Sequence, residues 1–182
     1  LVNNQENSEL PTLYTSPEGV TGNIQASGTY AYQVEGLEQS LVIDFNKTFI
    51  IAEAGVNHNG SFDKALEMIK VAKDVGADAV KFQTFVPEHI SGGDPVRLKK
   101  LQGFRFTNEQ FEKLAKLAFE QGIIFFSTPF DLESAKFLNT IQPVFKIASS
   151  DNDYISLIKT VASFGKPMIV SCGMAELVGL DL

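Results

Sequence analysis

Cysteine is almost absent: Cys172 is the only one in 182 residues. No disulfide framework or cysteine-rich zinc site can form within the chain, and a reducing, cytoplasmic setting is the expectation. Imidazole is nearly as scarce, with only His58 and His89. Neither sits in a local metal motif, so a capping or substrate contact suits both better than ligation. No apolar run approaches the roughly 20 residues of a membrane span, and no basic-plus-apolar signal peptide is visible. The Asn-x-Ser/Thr matches at Asn46 and Asn59 are therefore discounted as glycosylation sites. Basic residues are outnumbered, 15 against 22 acidic, for a net charge of −7. That balance argues against a non-specific nucleic-acid surface and against an anionic membrane. A small anionic ligand stays open, because it feels the few lysines that converge on it and not the global sum. The first residue is Leu, which fits a chain that starts inside a longer protein or after processing.

With 44% hydrophobic and 20% charged residues, the composition is that of one globular domain with an appendage. Residues 1–46 form an N-terminal extension rich in Asn, Ser, Thr, Gly, Gln and Glu, without helical period. Tyr30, Tyr32 and Val34 alternate and Leu41–Ile43 is apolar, which suits one or two strands or a hairpin. Leu1 to about Gly22 is expected to be disordered or loosely docked.

From Lys47 onward the texture is regular. A strand at about 49–54 leads to a helix from Phe62 to about Val75, with Ala65, Met68, Ile69, Ala72 and Val75 at a 3.6 period. Gly76 ends it as a left-handed cap would. A strand over Ala79–Phe85 runs into a long loop, Val86–Gly103, expected to be functional or mobile. Thr107 and Gln110 make a capping-box pattern for a helix that Gly122 closes. Strands at Ile123–Ser127, Val144–Ala148 and Met168–Ser171 follow, with a helix capped by Asp131 and another capped by Asn152 or Asp153 between them. Strand and helix alternating through short connections imply a parallel sheet with right-handed crossovers. The fold class is α/β, of (β/α)8 TIM-barrel type. Residues 47–182 hold only about five βα units, short of the ~200–250 residues of a closed eight-stranded barrel.

Polar residues recur where the apolar runs end. They are Glu53, Lys81 with Gln83, Ser127 with Thr128, Lys146 with Ser149, and Ser171. Strands buried on both faces should be nearly all apolar, whereas the C-terminal ends of barrel strands carry catalysis. A lone strand lysine is most simply a snorkelling or edge residue. Two at corresponding places, Lys81 and Lys146, point to an anionic partner such as a phosphate or carboxylate ligand. Glu53 is either a structural partner of those lysines or a catalytic carboxylate. Gln83, Thr128, Ser149 and Ser171 suit a polyoxygenated ligand together, though each alone reads as a strand-end hydrogen bond. Asp151 serves equally as a helix cap or as an acid or base.

Five co-linear stretches carry a resemblance: Phe49–Gly60 (FIIAEAGVNHNG), Val80–Thr84 (VKFQT), Phe126–Asp131 (FSTPFD), Phe145–Ser149 (FKIAS) and Lys166–Met174 (KPMIVSCGM). In this order the chain resembles the N-acetylneuraminate (sialic acid) synthase family, which includes legionaminic and pseudaminic acid synthases. The likeness runs from residue 49 to about 177 and omits residues 1–46. It implies a TIM barrel that condenses phosphoenolpyruvate with an N-acyl amino sugar of the N-acetylmannosamine type, releasing phosphate and a nine-carbon 2-keto acid. It further implies a homodimer when full length, with an antifreeze-like domain reaching the partner's site.

Carried over by motif, the resemblance places Lys146, Ser149 and Ser171 on the phosphate, and Lys81 and Thr128 near the carboxylate. Gln83 belongs to the same wall. Glu53 and Asp151 take the places of catalytic acidic residues near the sugar, although Ser149-Ser150-Asp151 replaces a common Ser-Gly-Glu. A divalent metal, Mn2+ or Mg2+, is implied as a Lewis acid, with ligands on later strands that this chain does not contain. The isolated chain is accordingly expected to have little or no turnover. Two other readings stand beside this one: another phosphoenolpyruvate–aldose synthase, whose usual Lys-Ala-Asn-Arg-type stretch is missing, and a non-catalytic phosphate-binding or assembly module.

Overall fold

A computed structural model describes residues 47–174, together with the backbone of two N-terminal strands at 27–34 and 37–44. Strands β1 (Ser27–Val34) and β2 (Leu37–Asp44) pair antiparallel, so the alternation around Tyr30–Val34 does belong to a hairpin. The expectation for Leu1–Gly22 falls outside the described residues.

The remainder alternates as the sequence pattern requires. Its order is β3 (Ile51–Gly55), α1 (Phe62–Asp74), β4 (Ala79–Thr84), α2 (Pro87–Ile90), α3 (Pro95–Phe104), α4 (Asn108–Gln121), β5 (Ile124–Pro129), α5 (Leu132–Leu138), β6 (Phe145–Ile147), α6 (Ile155–Ala162) and β7 (Met168–Val170). Strands β3, β4 and β5 form one parallel sheet, and β6 and β7 form a second. The single continuous sheet expected from the sequence is thus interrupted between β5 and β6. Five parallel strands are present, four of them followed by a described helix.

Local signals explain most boundaries. Thr107 Oγ1 accepts from the Gln110 amide at 3.3 Å while Gln110 Oε1 accepts from the Thr107 amide at 2.9 Å, closing the capping box of α4. Asp131 caps α5 as expected, accepting from the Ser134 amide at 2.7 Å. Two expectations are corrected. Val86–Gly103 is not a structureless loop, because α2 and α3 occupy most of it; Asp94 caps α3 and Pro95 opens it. That helix buries no residue, so it leaves no apolar period to read. Neither Asn152 nor Asp153 caps α6, whose N-cap is Tyr154 without a side-chain bond. A 3-10 turn at Ser149–Asp151 fills the approach to it.

The core lies between the β3–β5 sheet and helices α1 and α4, where Ile69, Val80, Phe82, Leu114 and Ala118 are fully buried. His58 joins it at 1% exposure, stacked on Phe106 with centroids 4.1 Å apart. Its Nδ1 accepts the Gly60 amide at 3.1 Å, which leaves the proton of the neutral ring on Nε2. Gly60 sits at φ +81°, and a Cβ there would fall 2.1 Å from the Gly103 carbonyl oxygen. Only glycine lets the turn after β3 dock against the end of α3.

Burial, and secondarily the Lys64 ammonium, lower the His58 pKa to about 4. The unfolded chain therefore takes up this proton first as pH falls, so the stability contributed by neutral His58 is full above about pH 6.5 and is lost on acidification toward pH 4. Urea unfolding should show a loss of about 3 kcal/mol across that window from this group. In His58→Gln the pH slope should flatten there, and an unchanged slope would contradict the assignment.

Candidate active site

Strand register decides which side chains meet. In the β3–β4 ladder Glu53 stands opposite Lys81, and in β4–β5 Lys81 stands opposite Phe126. Side chains two residues apart share a face, so Thr128 lies one step above Phe126 on the face of Lys81. The Lys81 ammonium donates to Thr128 Oγ1 at 3.2 Å and pairs with Glu53 Oε2 at 2.5 Å. The second sheet repeats this geometry. Lys146 stands opposite Ile169, and its ammonium donates to Ser171 Oγ at 2.5 Å, two residues farther along β7. It also donates to the Ile147 carbonyl at 2.6 Å.

The two ammoniums belong to one electrostatic unit. Lys146 is held below the ordinary lysine range, first by burial and then by the Lys81 ammonium, with Glu53 pulling the other way. Glu53 pairs with Lys81 and acts on Lys146 only across space. The register to β4 shifts just after it, between Glu53 and Gly55. Gly55 has φ +54°, and a Cβ on it would lie 3.2 Å from Glu53 Oε1 and 3.8 Å from Gln83 Nε2. Gln83 is therefore part of the same cluster.

The sequence-predicted residues divide into three groups. Glu53, Lys81 and Thr128 are joined by direct contacts, as are Lys146 and Ser171. Ser149 stands at the start of the 3-10 turn, with its Cβ 3.9 Å from where a Cβ of Gly173 would be, beside the end of β7. Asp151 lines a cleft of about 610 Å3, which Gln83 also lines. Its carboxyl is raised above the usual range by burial and then by Asp153, and Oδ2 is buried without a hydrogen-bond partner.

The sequence reading pointed to the segment 86–103 as functional but did not single out Arg97, Lys100 and Phe104, which wall that cleft. His89 and Ile90, with Arg97, Lys100 and Phe104 of α3, enclose it opposite Asp151 and Tyr154. Asp94-Pro95 was the available signal, since a capping residue followed by proline marks a helix start. Metal ligation finds no support in this constellation. Among the described residues no three His, Cys, Asp or Glu side chains gather to hold an ion.

Parallel strands that carry lysines and hydroxyls at their C-terminal ends define an α/β fold of barrel type. The family match narrows this: residues 68–181 fit the model of the NeuB family, and the chain belongs to that family. It is 38% identical over 146 residues to N,N'-diacetyllegionaminic acid synthase of Campylobacter jejuni, covering 72% of this chain and 44% of that protein. An uncharacterized protein of Methanocaldococcus jannaschii is 42% identical over 131 residues, covering 71% of this chain and 39% of its own length. Among solved structures, the N-acetylneuraminic acid synthetase of Leptospira borgpetersenii in complex with citrate superposes with a TM-score of 0.73. There the identity is 32%, over 84% of this chain and 53% of that one. The chain thus spans less than half the length of these two curated relatives.

Glu53 holds the Lys146 pKa up against burial and against Lys81. Glu53→Gln should therefore move the Lys146 titration to lower pH, as read by NMR of isotope-labelled lysine. A shift to higher pH, or none, would show that Glu53 does not face Lys146.

Proposed function

We propose that this chain supplies the phosphoenolpyruvate side of a site that condenses phosphoenolpyruvate with an N-acyl amino sugar of the N-acetylmannosamine type. The products are a nine-carbon 2-keto sugar acid and phosphate. The observation that carries this reading is the matched pair of lysine–hydroxyl contacts, Lys81 with Thr128 and Lys146 with Ser171, near enough for the Lys81 ammonium to act on Lys146. Phosphoenolpyruvate has two anionic ends, and two cationic grips answer them. Lys146, Ser171 and Ser149 would take the phosphate, and Lys81 and Thr128 the carboxylate. Ammoniums already desolvated and aimed hold the ligand without reorganising as charge moves.

The chemistry follows from what each end must do. The enol carbon C3 attacks the sugar's aldehyde carbon, the aldehyde oxygen takes a proton, water adds at C2 and phosphate leaves. The cleft lined by Gln83, His89, Arg97 and Asp151 has about 610 Å3 for the sugar, and Gln83 links it to Glu53. Glu53 and Asp151 are the acidic groups near that junction, and the raised pKa of Asp151 favours holding a proton for donation. The implied Mn2+ or Mg2+ would polarise the aldehyde. The described residues do not build its site, so none of these roles depends on it.

Membership in the NeuB family supports this reading over other phosphoenolpyruvate–aldose synthases. The proposal extends to a cytoplasmic enzyme that works as a homodimer when full length. It also divides the chain into an N-terminal extension over 1–46 and the barrel portion over 47–182. An assembly role has one observation in its favour. The outer side of β3 and α1 forms an apolar groove of about 430 Å3 lined by Ala52, Ala54, Met68 and Val71, where a closed barrel would continue.

Calorimetry of this chain should show one phosphoenolpyruvate bound, with Lys146→Ala weakening it at least about tenfold. In a synthase that carries this segment with a complete metal site, the same substitution should abolish phosphate release with N-acetylmannosamine and manganese. Retained turnover would remove Lys146 from the site, and a preference for arabinose 5-phosphate would transfer the enzyme to the aldose-phosphate synthases.

A further inference from the structure

The two lysine grips belong to different sheets, and no backbone ladder connects β5 to β6. Something else must fix their separation. Across the break stands Gln142, at 1% exposure. Its Oε1 accepts the Ser127 amide at 2.8 Å and its Nε2 donates to the Ser127 carbonyl at 3.2 Å. A side-chain amide here occupies the place of a strand neighbour, satisfying both polar groups of one β5 residue.

Its two ends are firmly held. On the β5 side, Ser127 Oγ lies 2.7 Å from Thr84 Oγ1 of β4, and Thr128, the residue that receives Lys81, comes next in sequence. On the other side, Gln142 precedes Pro143, which restricts its backbone to extended conformations, and leads in four residues to Lys146. The Gln142 carbonyl accepts from Lys166 Nζ at 2.7 Å, and Lys166 also reaches the Asn139 carbonyl at 2.5 Å. Lys166 adjoins Pro167, whose carbonyl receives the Phe145 amide at 2.8 Å. The amide of Gln142 thus ties β5 to the entrances of both β6 and β7.

We infer that Gln142 is a positioning residue for the condensing site, setting the distance between the Lys81–Thr128 grip and the Lys146–Ser171 grip across the break in the sheet. Gln142 itself touches no ligand space. This inference rests on the proposed phosphoenolpyruvate site for its functional meaning, and on the Ser127 contacts alone for its geometry.

The test uses Gln142→Leu, which keeps much of the volume and removes both bonds, and Gln142→Glu, which keeps the acceptor and loses the donor. Phosphoenolpyruvate, spanning both grips, should bind about tenfold or more weakly to Gln142→Leu. Inorganic phosphate, needing only Lys146, Ser171 and Ser149, should stay within about twofold. Burial and the Lys81 ammonium lower Lys146 and outweigh the opposing Glu53 and Cys172, so a relaxed gap should let its titration rise toward the ordinary lysine range in ligand-free protein. Gln142→Glu should show the same pattern at smaller amplitude and decides the matter if the leucine variant does not fold. Equal weakening of both ligands, or unchanged phosphoenolpyruvate binding with an unchanged Lys146 titration, would overturn the inference. If the unaltered chain binds no phosphoenolpyruvate, the proposed function fails and the Lys146 titration alone judges Gln142.

Discussion

Two ammonium groups pointing into one protein interior repel each other, and the rest of the site is organised around that cost. Lys81 is buried and Lys146 half-buried, and the Glu53 carboxylate pairs with Lys81 while acting on Lys146 only across space. Hydroxyls on the next strand satisfy donors without neutralising charge. An interior that keeps two cations against one anion is destabilised until a further negative group arrives. Such a deficit is what a site for a doubly anionic ligand requires, because the binding free energy of the ligand offsets the cost of assembling its receptor.

The repeated lysine geometry has a simple origin. In a parallel pair, a long side chain near the C-terminal end leans along its strand and meets the neighbour two residues beyond its register partner. β4–β5 and β6–β7 both do this, with threonine in one case and serine in the other. Glu53 is within reach as the register partner of Lys81 on β3. Site chemistry is therefore a consequence of strand register more than of loop conformation. Cleft chemistry differs, because its far wall comes from α3, a helix that buries nothing.

Sequence reasoning reached the first kind of feature and not the second. Lys81 and Lys146 stood out because charge inside apolar runs violates the expected composition of a buried strand, and Glu53, Thr128 and Ser171 followed from their places at the ends of those runs. Capping pairs such as Thr107 with Gln110 were legible because their geometry is local. Arg97 and Lys100 were not, since an exposed helix without an apolar stripe resembles a polar loop. Gln142 was harder still. Nothing in Gln142-Pro143-Val144 reveals that a strand ladder will be missing beside it, because that gap is a property of two segments brought together by folding. Asp151 was a candidate from its place after Ser149, but its seat on the cleft emerged only with the 3-10 turn that carries it.

The central claim is that lysines from separate sheets hold a single ligand. A double-mutant cycle tests it most directly, comparing phosphoenolpyruvate affinity in the unaltered chain, Lys81→Met, Lys146→Met and the double variant by calorimetry. One shared ligand predicts that each substitution weakens binding and that the two are coupled by about 1 kcal/mol or more. Strictly additive effects, or an affinity indifferent to either lysine, would contradict the account.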